Sequence, residues 1–262
     1  MPQPFKVVYL VEPDAAALTQ RAARYFVESV EAAVAARGRA RIAISGGSAP
    51  RPVFAALADP ALPWRDRMPW KQLEIFWVDE RCVPPSDKAS NYRMTREALL
   101  DKVPLGPAQI HRFEGELEPE QAASRYESGL RNSFRLDSAE APRIDLIQLG
   151  LGADGHTASL FPHTAALHEL GRLAVPNLTD AEQPWRLTLT APVINRGANV
   201  FFLIASGDKA QVVKEVFAGP RDPDRLPAQL IRPASGILTL LLDRAAAALL
   251  PPPHRDGRGE LG

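Results

Sequence analysis

A chain of 262 residues with 45% hydrophobic side chains carries enough apolar material for a sizeable core, which excludes wholesale disorder. Its 31 Lys and Arg balance 31 Asp and Glu, so no basic surplus points to a nucleic acid or an anionic membrane, and any anionic ligand must meet a local cationic cluster. Cys82 is the only cysteine, which rules out an intrachain disulfide and a thiolate metal cage.

The apolar run near the N-terminus is too short for a signal segment, and nowhere do the roughly 18 uninterrupted apolar residues of a membrane span occur. A soluble cytoplasmic protein is expected. A first strand is predicted at 6–11. Asp14 then caps a long helix whose apolar face uses Leu18, Ala22, Phe26, Val30 and Val34, and which stops at Gly38. A strand at 41–45 runs into the turn SGGSAPRP, 45–52, and a helix rising through Val53, Phe54 and Leu57. The segment 60–69, PALPWRDRMP, reads as a surface loop. Next come a strand at 73–78, helices at 91–101 and 118–134, and a strand at 144–149. After a glycine turn and His156, small residues of helical character predict a helix whose N-terminus has the imidazole at its mouth. Strands at 186–190 and 200–205, a helix at 208–217, a proline-punctuated connection at 221–233 and a strand at 237–242 complete the pattern. Near-continuous apolar strands alternating with helices define an α/β fold, a mostly parallel, Rossmann-like doubly wound sheet with helices on both faces. One domain is expected over 1–250, with a disordered tail over 251–262.

The stretch IDLIQLGLGADGHTASLFP, 144–162, is the most informative. GLGADG formally satisfies G-x-G-x-x-G, but a dinucleotide site needs a strand ending in an acidic residue about 20 positions later. The sequence there, LAVPNLTDAEQP, is broken by Pro176 and makes a poor central strand. The plainer reading is glycines turning a tight corner. His156 follows that turn with Asp154 two residues before it, and a carboxylate can fix an imidazole tautomer and stabilise its protonated form.

Ser45, Gly46, Gly47 and Ser48 form a second glycine turn, where backbone N–H groups and a helix N-terminus favour an anion. It lacks the lysine of a nucleotide-binding P-loop, and Ser48 as a simple helix cap is the alternative. Asp79, Glu80 and Arg81 end a strand where open α/β sheets place ligands, though on the residues alone a surface ion cluster is the favoured reading. Asn91 is a ligand or a helix N-cap, and Lys209 a phosphate partner or a solvated cation. No G-x-S-x-G elbow occurs, and His156, His163 and His168 have no familiar metal spacing. With 7% aromatic residues and no interleaved basic patch, RNA binding is not expected.

SGGS at 45–48, DERCVP at 79–84, SNY at 90–92, GLGADGHTASLFP at 150–162, SGDKA at 206–210 and LPAQLI at 226–231 occur in that order. With these motifs the chain resembles the 6-phosphogluconolactonases, in the family that also holds the glucosamine-6-phosphate deaminases. The likeness covers nearly everything up to the tail. It implies hydrolysis of 6-phospho-D-glucono-1,5-lactone to 6-phospho-D-gluconate in the oxidative pentose phosphate pathway. It further implies a small sugar-phosphate lactone as partner, no nucleic acid or membrane, and a monomer or weak homo-oligomer. No metal or organic cofactor is expected, since a lactone is already an activated ester. On this reading His156 is the general base and Asp154 supports it. Ser45, Gly46, Gly47, Ser48, Asp79, Arg81, Asn91 and Lys209 bind substrate, and amides around Gly152 and Gly155 meet the oxyanion.

Two other functions are weighed. Deaminases resemble G-x-D-G-H-I-A-F-N-E-P, with a glutamate five residues after the histidine and a tyrosine after Asp-Glu, where this chain has Phe161 and Arg81. A non-catalytic sugar-phosphate sensor usually adds a helix-turn-helix domain, whereas here the α/β pattern starts almost at once. The roles of Asp79 and Glu80 stay open, because two carboxylates repel an anionic substrate unless already paired. Cys82 reads as a bystander.

Overall fold

The computed structural model describes residues 6–137, 140–179, 184–234 and 237–251. Strand β1 (Lys6–Glu12) leads to helix α1 (Ala15–Arg37), framed by the two residues expected to frame it. The Asp14 carboxylate accepts the Ala17 amide, and Gly38 takes the left-handed φ of 73° that lets its N–H return to Val34 O. Leu18, Ala22, Phe26 and Val30 are buried along one face. Phe26 sets its edge against Phe54 and Phe201 at centroid distances of 6.2 and 5.5 Å, tying α1 to the helix and strand that carry those rings.

The chain continues through β2 (Ala40–Ile44), α2 (Pro50–Ala58), α3 (Pro63–Arg67), β3 (Leu73–Trp77), β4 (Asp79–Arg81) and α4 (Asn91–Ala98). Then come β5 (Ile110–His111), α5 (Pro119–Phe134), β6 (Leu146–Leu149), β7 (Ala174–Asn177) and β8 (Arg186–Leu189). The described elements close with α6 (Ala191–Asn195), β9 (Val200–Ile204), α7 (Ala210–Ala218) and β10 (Ile237–Asp243). The expected loop at 60–69 contains the short helix α3, started by Pro63 in the first turn, where a missing N–H costs nothing.

Seven strands form one sheet in the order β1-β10-β9-β6-β2-β3-β5, and every pairing within it is parallel. β6 and β9 are buried at every position, the mark of strands covered on both faces. The expected mostly parallel α/β sheet is therefore present. The strand at 186–190 departs from that expectation. It lies in a separate antiparallel sheet, β4-β8-β7, which the alternation of apolar runs did not reveal. Val78 is the hinge between the two sheets: its N–H donates to Ile44 O, and its carbonyl accepts from Leu189 N. The segment expected to make a poor central strand is β7, at the edge of this small sheet, where Pro176 is tolerated.

The predicted helix after His156 does not form. Residues 157–160 make a tight turn closed by Leu160 N donating to Thr157 O at 2.9 Å, with Ala158 at φ 50°. Tertiary hydrogen bonds hold the turn in place. Thr157 Oγ1 donates to Gly150 O, Asn177 Nδ2 donates to Ser159 O, and Ser159 Oγ donates to Asp79 Oδ2. Residues 252–262, nearly all of the expected tail, lie outside the described residues. No helix among the described residues is long and apolar enough to cross a membrane.

Candidate active site

The strand order reverses between β2 and β6, with β3 and β5 beyond one and β9, β10 and β1 beyond the other. Open parallel sheets bind ligands at the carboxyl edge of such a switch point. A cavity of about 200 Å³ opens there, and most residues singled out in the sequence line it. Ser45, Gly46, Gly47 and Ser48 follow β2; Asp79 and Arg81 come from β4; Asn91 from α4; Gly152 and His156 from the loop after β6; Lys209 from the turn after β9. Asp154 and Gly155 are not among the lining residues.

His156 Nδ1 lies 2.5 Å from Asp154 Oδ1, and its backbone N–H donates to the same oxygen at 3.1 Å. A carboxylate partner assigns the proton to Nδ1, which leaves Nε2 with the free lone pair. Burial acts to raise the Asp154 carboxyl, but the hydrogen bond and charge of His156 overcome it and hold it below its usual range. Phe161 stacks on the imidazole at a centroid distance of 4.1 Å, so the position five residues after the histidine holds a ring that braces it. Gly152 is required by proximity: a Cβ there would sit 2.0 Å from His156 Nδ1 and 2.6 Å from Asp154 Oδ1.

Gly155 serves the loop rather than the cavity. At φ 82° it packs against Leu226, whose Cδ2 lies 2.6 Å from where a Cβ would stand, and its carbonyl accepts from Ala228 N. His163 N donates to Asp224 O nearby, so the His156 loop is clamped by the 224–228 segment. The amides of Gly152 and Gly155 are already committed, to His156 O at 2.8 Å and Gly152 O at 3.1 Å. Both are engaged within the loop itself.

The two carboxylates left open by the sequence have separate functions. Glu80 is buried, and four donors converge on it: Arg81 N and Asn91 N on Oε1, Ser90 Oγ and Tyr92 N on Oε2. Burial pushes its carboxyl above the usual range, a rise that the backbone amides only partly oppose. It satisfies the N-terminus of α4, whose cap is Ser90 and not Asn91. Glu80→Gln turns an NH2 toward two of those donors, and a loss of about 3 kcal/mol in urea-unfolding stability is expected. Asp79 accepts from Ser159 Oγ at 3.0 Å. Burial raises its carboxyl, opposed by the charges of Arg81, His156 and Arg186.

Asn91 donates through Nδ2 to Asp79 O, and its Oδ1 presses on Gly46, where a Cβ would lie 1.9 Å away. The side chain locks the glycine turn to β4. Gly47, at φ 114°, supplies the bend. Ser48 does not cap α2, whose cap residue Ala49 makes no side-chain hydrogen bond.

Arg186 was missed in the sequence, where it reads as the polar start of an apolar strand. It stands opposite Arg81 in the antiparallel register, half-buried, with Nε lacking a hydrogen-bond partner. Burial and the Arg81 charge lower its guanidinium from its ordinary value. Two positive charges on paired residues repel unless an anion comes near them. Cys82 beside them is pushed up to about 11, by burial first and the Glu80 charge second, so it stays a thiol. Among the described residues, no group of three or more His, Cys, Asp or Glu is arranged to hold a metal ion.

A parallel α/β sheet with a carboxylate-backed histidine and convergent cations at its switch crevice defines an enzyme built for an anionic substrate. The family model described as glucosamine-6-phosphate isomerases/6-phosphogluconolactonase matches residues 13–240. The chain belongs to that family. It is 43% identical to a 6-phosphogluconolactonase of Synechocystis over 90% of this chain and 95% of that one, and 38% identical to one of Nostoc over 92% and 97%. The 6-phosphogluconolactonase structure from Trypanosoma brucei superposes with a TM-score of 0.80 at 28% identity, covering 94% of this chain and all of that one. A structure named devB protein gives 0.85 at 31% identity, with 94% and 100% covered.

Proposed function

We propose that this chain hydrolyses 6-phospho-D-glucono-1,5-lactone to 6-phospho-D-gluconate, with His156 as the base that activates water. The enzyme class, a lactone-opening carboxylic ester hydrolase, follows from the family and the relatives' shared activity. The observation that carries the mechanism is the His156–Asp154 pair at 2.5 Å beside a cationic glycine-turn crevice. Water attacks the C1 carbonyl while His156 Nε2 takes its proton. Asp154 holds Nδ1–H and stabilises the imidazolium that results. The tetrahedral oxyanion is met by donors of the crevice other than the committed Gly152 and Gly155 amides. Collapse expels the ring oxygen, which collects the proton from His156. The phosphate lies on the Gly46–Ser48 turn with Arg81 and Lys209, and Arg186 adds positive potential behind Arg81.

The position of Phe161 favours this reading over amino-sugar isomerisation, for which no carboxylate stands next to the imidazole on that side. Decay of freshly generated lactone, with spontaneous hydrolysis subtracted, tests the activity; ammonia release from glucosamine 6-phosphate tests the alternative. Lys209→Ala is expected to raise KM about tenfold while kcat changes less than about threefold, the pattern of lost uniform binding. An unchanged KM would remove Lys209 from the phosphate site.

A further inference from the structure

The crevice exists because β2 and β6 part at their carboxyl ends. Their parallel register runs through Ile42↔Leu146 and Ala43↔Ile147. Beyond it, side chains make the join. Ser45 N–H donates to Gln148 Oε1 at 3.0 Å, and Ser45 Oγ donates to Gln148 O at 2.9 Å. A side-chain amide oxygen thus accepts the Ser45 N–H across the widening gap.

Gln148 is unusual where it stands. It is fully buried in a strand reading Leu-Ile-Gln-Leu, and its Nε2 has no hydrogen-bond partner. The amide orientation is fixed by chemistry, since Ser45 N–H requires an acceptor and only Oε1 can supply it. A buried donor without an acceptor is a cost that a leucine at this position would avoid. What the leucine could not do is reach Ser45. Ser45 is the residue from which the Gly46–Ser48 turn leaves the sheet, and it lines the cavity that Gln148 itself does not line.

We propose that Gln148 is a positioning residue for the sugar phosphate: by holding the Ser45 amide across the split between β2 and β6, it sets the direction of the glycine turn. The inference rests on the proposed reading in which that turn receives the phosphate. Gln148 touches no substrate; it acts through Ser45. Losing the Oε1 acceptor frees the turn to shift, and the loss falls on anion binding rather than on the proton transfers at His156.

The test uses Gln148→Met, which keeps length and volume but has no amide acceptor, and Gln148→Leu as a second variant. Each is compared with wild type for lactone kinetics, competitive inhibition by inorganic phosphate, and thermal unfolding. The expected result is a KM about tenfold higher, a phosphate inhibition constant rising in step, a kcat within about twofold, and retained cooperative unfolding. Folded variants with wild-type KM and phosphate inhibition overturn the role of Gln148 alone, as does a fall in kcat at constant KM. A wild type without lactonase activity overturns the functional reading instead, and phosphate that fails to compete with an active wild type removes the turn as phosphate site. Should the leucine variant fail to fold, the methionine variant decides the matter.

Discussion

His156→Ala is expected to lower lactone turnover by about 10²–10⁴-fold, the range that a positioned general base contributes. The structure makes this variant a clean probe. The imidazole side chain is 30% exposed and held by Asp154 and Phe161 rather than by the core, so its removal leaves the fold alone. KM should change little, because the ring is assigned no contact with the phosphate. The lactone opens spontaneously, so the rate that matters is the excess over the protein-free control. If the alanine variant accelerates decay as well as wild type, the family and the cavity stand but the proton must go elsewhere. Asp154→Asn gives a graded companion. It keeps the shape of the pair while removing the charge that favours the imidazolium, and an intermediate loss is expected.

Gly152→Ala should cost nearly as much activity without touching any reacting group. The φ of Gly152 is not in the left-handed region that would reserve the position for glycine. The conflict is steric and local: the methyl would stand 2.0 Å from His156 Nδ1 and 2.6 Å from Asp154 Oδ1. No real Cβ survives at such distances, so the imidazole must swing away and the pair must separate. A loss of about 10²-fold or more in kcat is expected, since displacing a catalytic group by an ångström is enough for that. Thermal stability should shift by no more than a few degrees. Full activity in this variant would mean that the observed His156–Asp154 contact is not the catalytic arrangement.

Much of the architecture was legible because local rules and tertiary structure agree. Asp14 and Gly38 frame α1 by the side-chain cap and the left-handed bend their residue types favour, and the apolar runs of β2, β3, β6, β9 and β10 are buried as parallel strands are. The legible part of the site was the glycine turns and the polar residues at strand ends. What stayed hidden depends on partners far along the chain. The segment after His156 has helical character, but Asp79 and Asn177 engage the hydroxyl and carbonyl of Ser159 and hold it as a turn. Glu80 and Asp79 are adjacent in sequence, yet one seats a helix and the other faces the cavity, a division that period-2 alternation alone cannot assign. Ser90 caps α4 through Arg93 N, while Asn91, one residue on, turns its side chain to Asp79 O. Arg186 and Gln148 were invisible for a related reason: one is the polar start of a strand and the other a polar residue within one, and the meaning of each appears only with the strand beside it.

The sheet's edge strand bears on how the molecule comes into being. Among the described residues β1 pairs with β10 alone, Lys6 against Ile237 through Glu12 against Asp243. During synthesis β1 therefore leaves the ribosome long before Ile237–Asp243 is made and cannot take its place beside β10 until then. The His156 loop waits almost as long for Leu226 and Ala228. Contacts that close so late place a large loop-entropy cost at the end of folding. A nascent chain carries every residue of the crevice before β10 is made, so activity should switch on only as β10 docks.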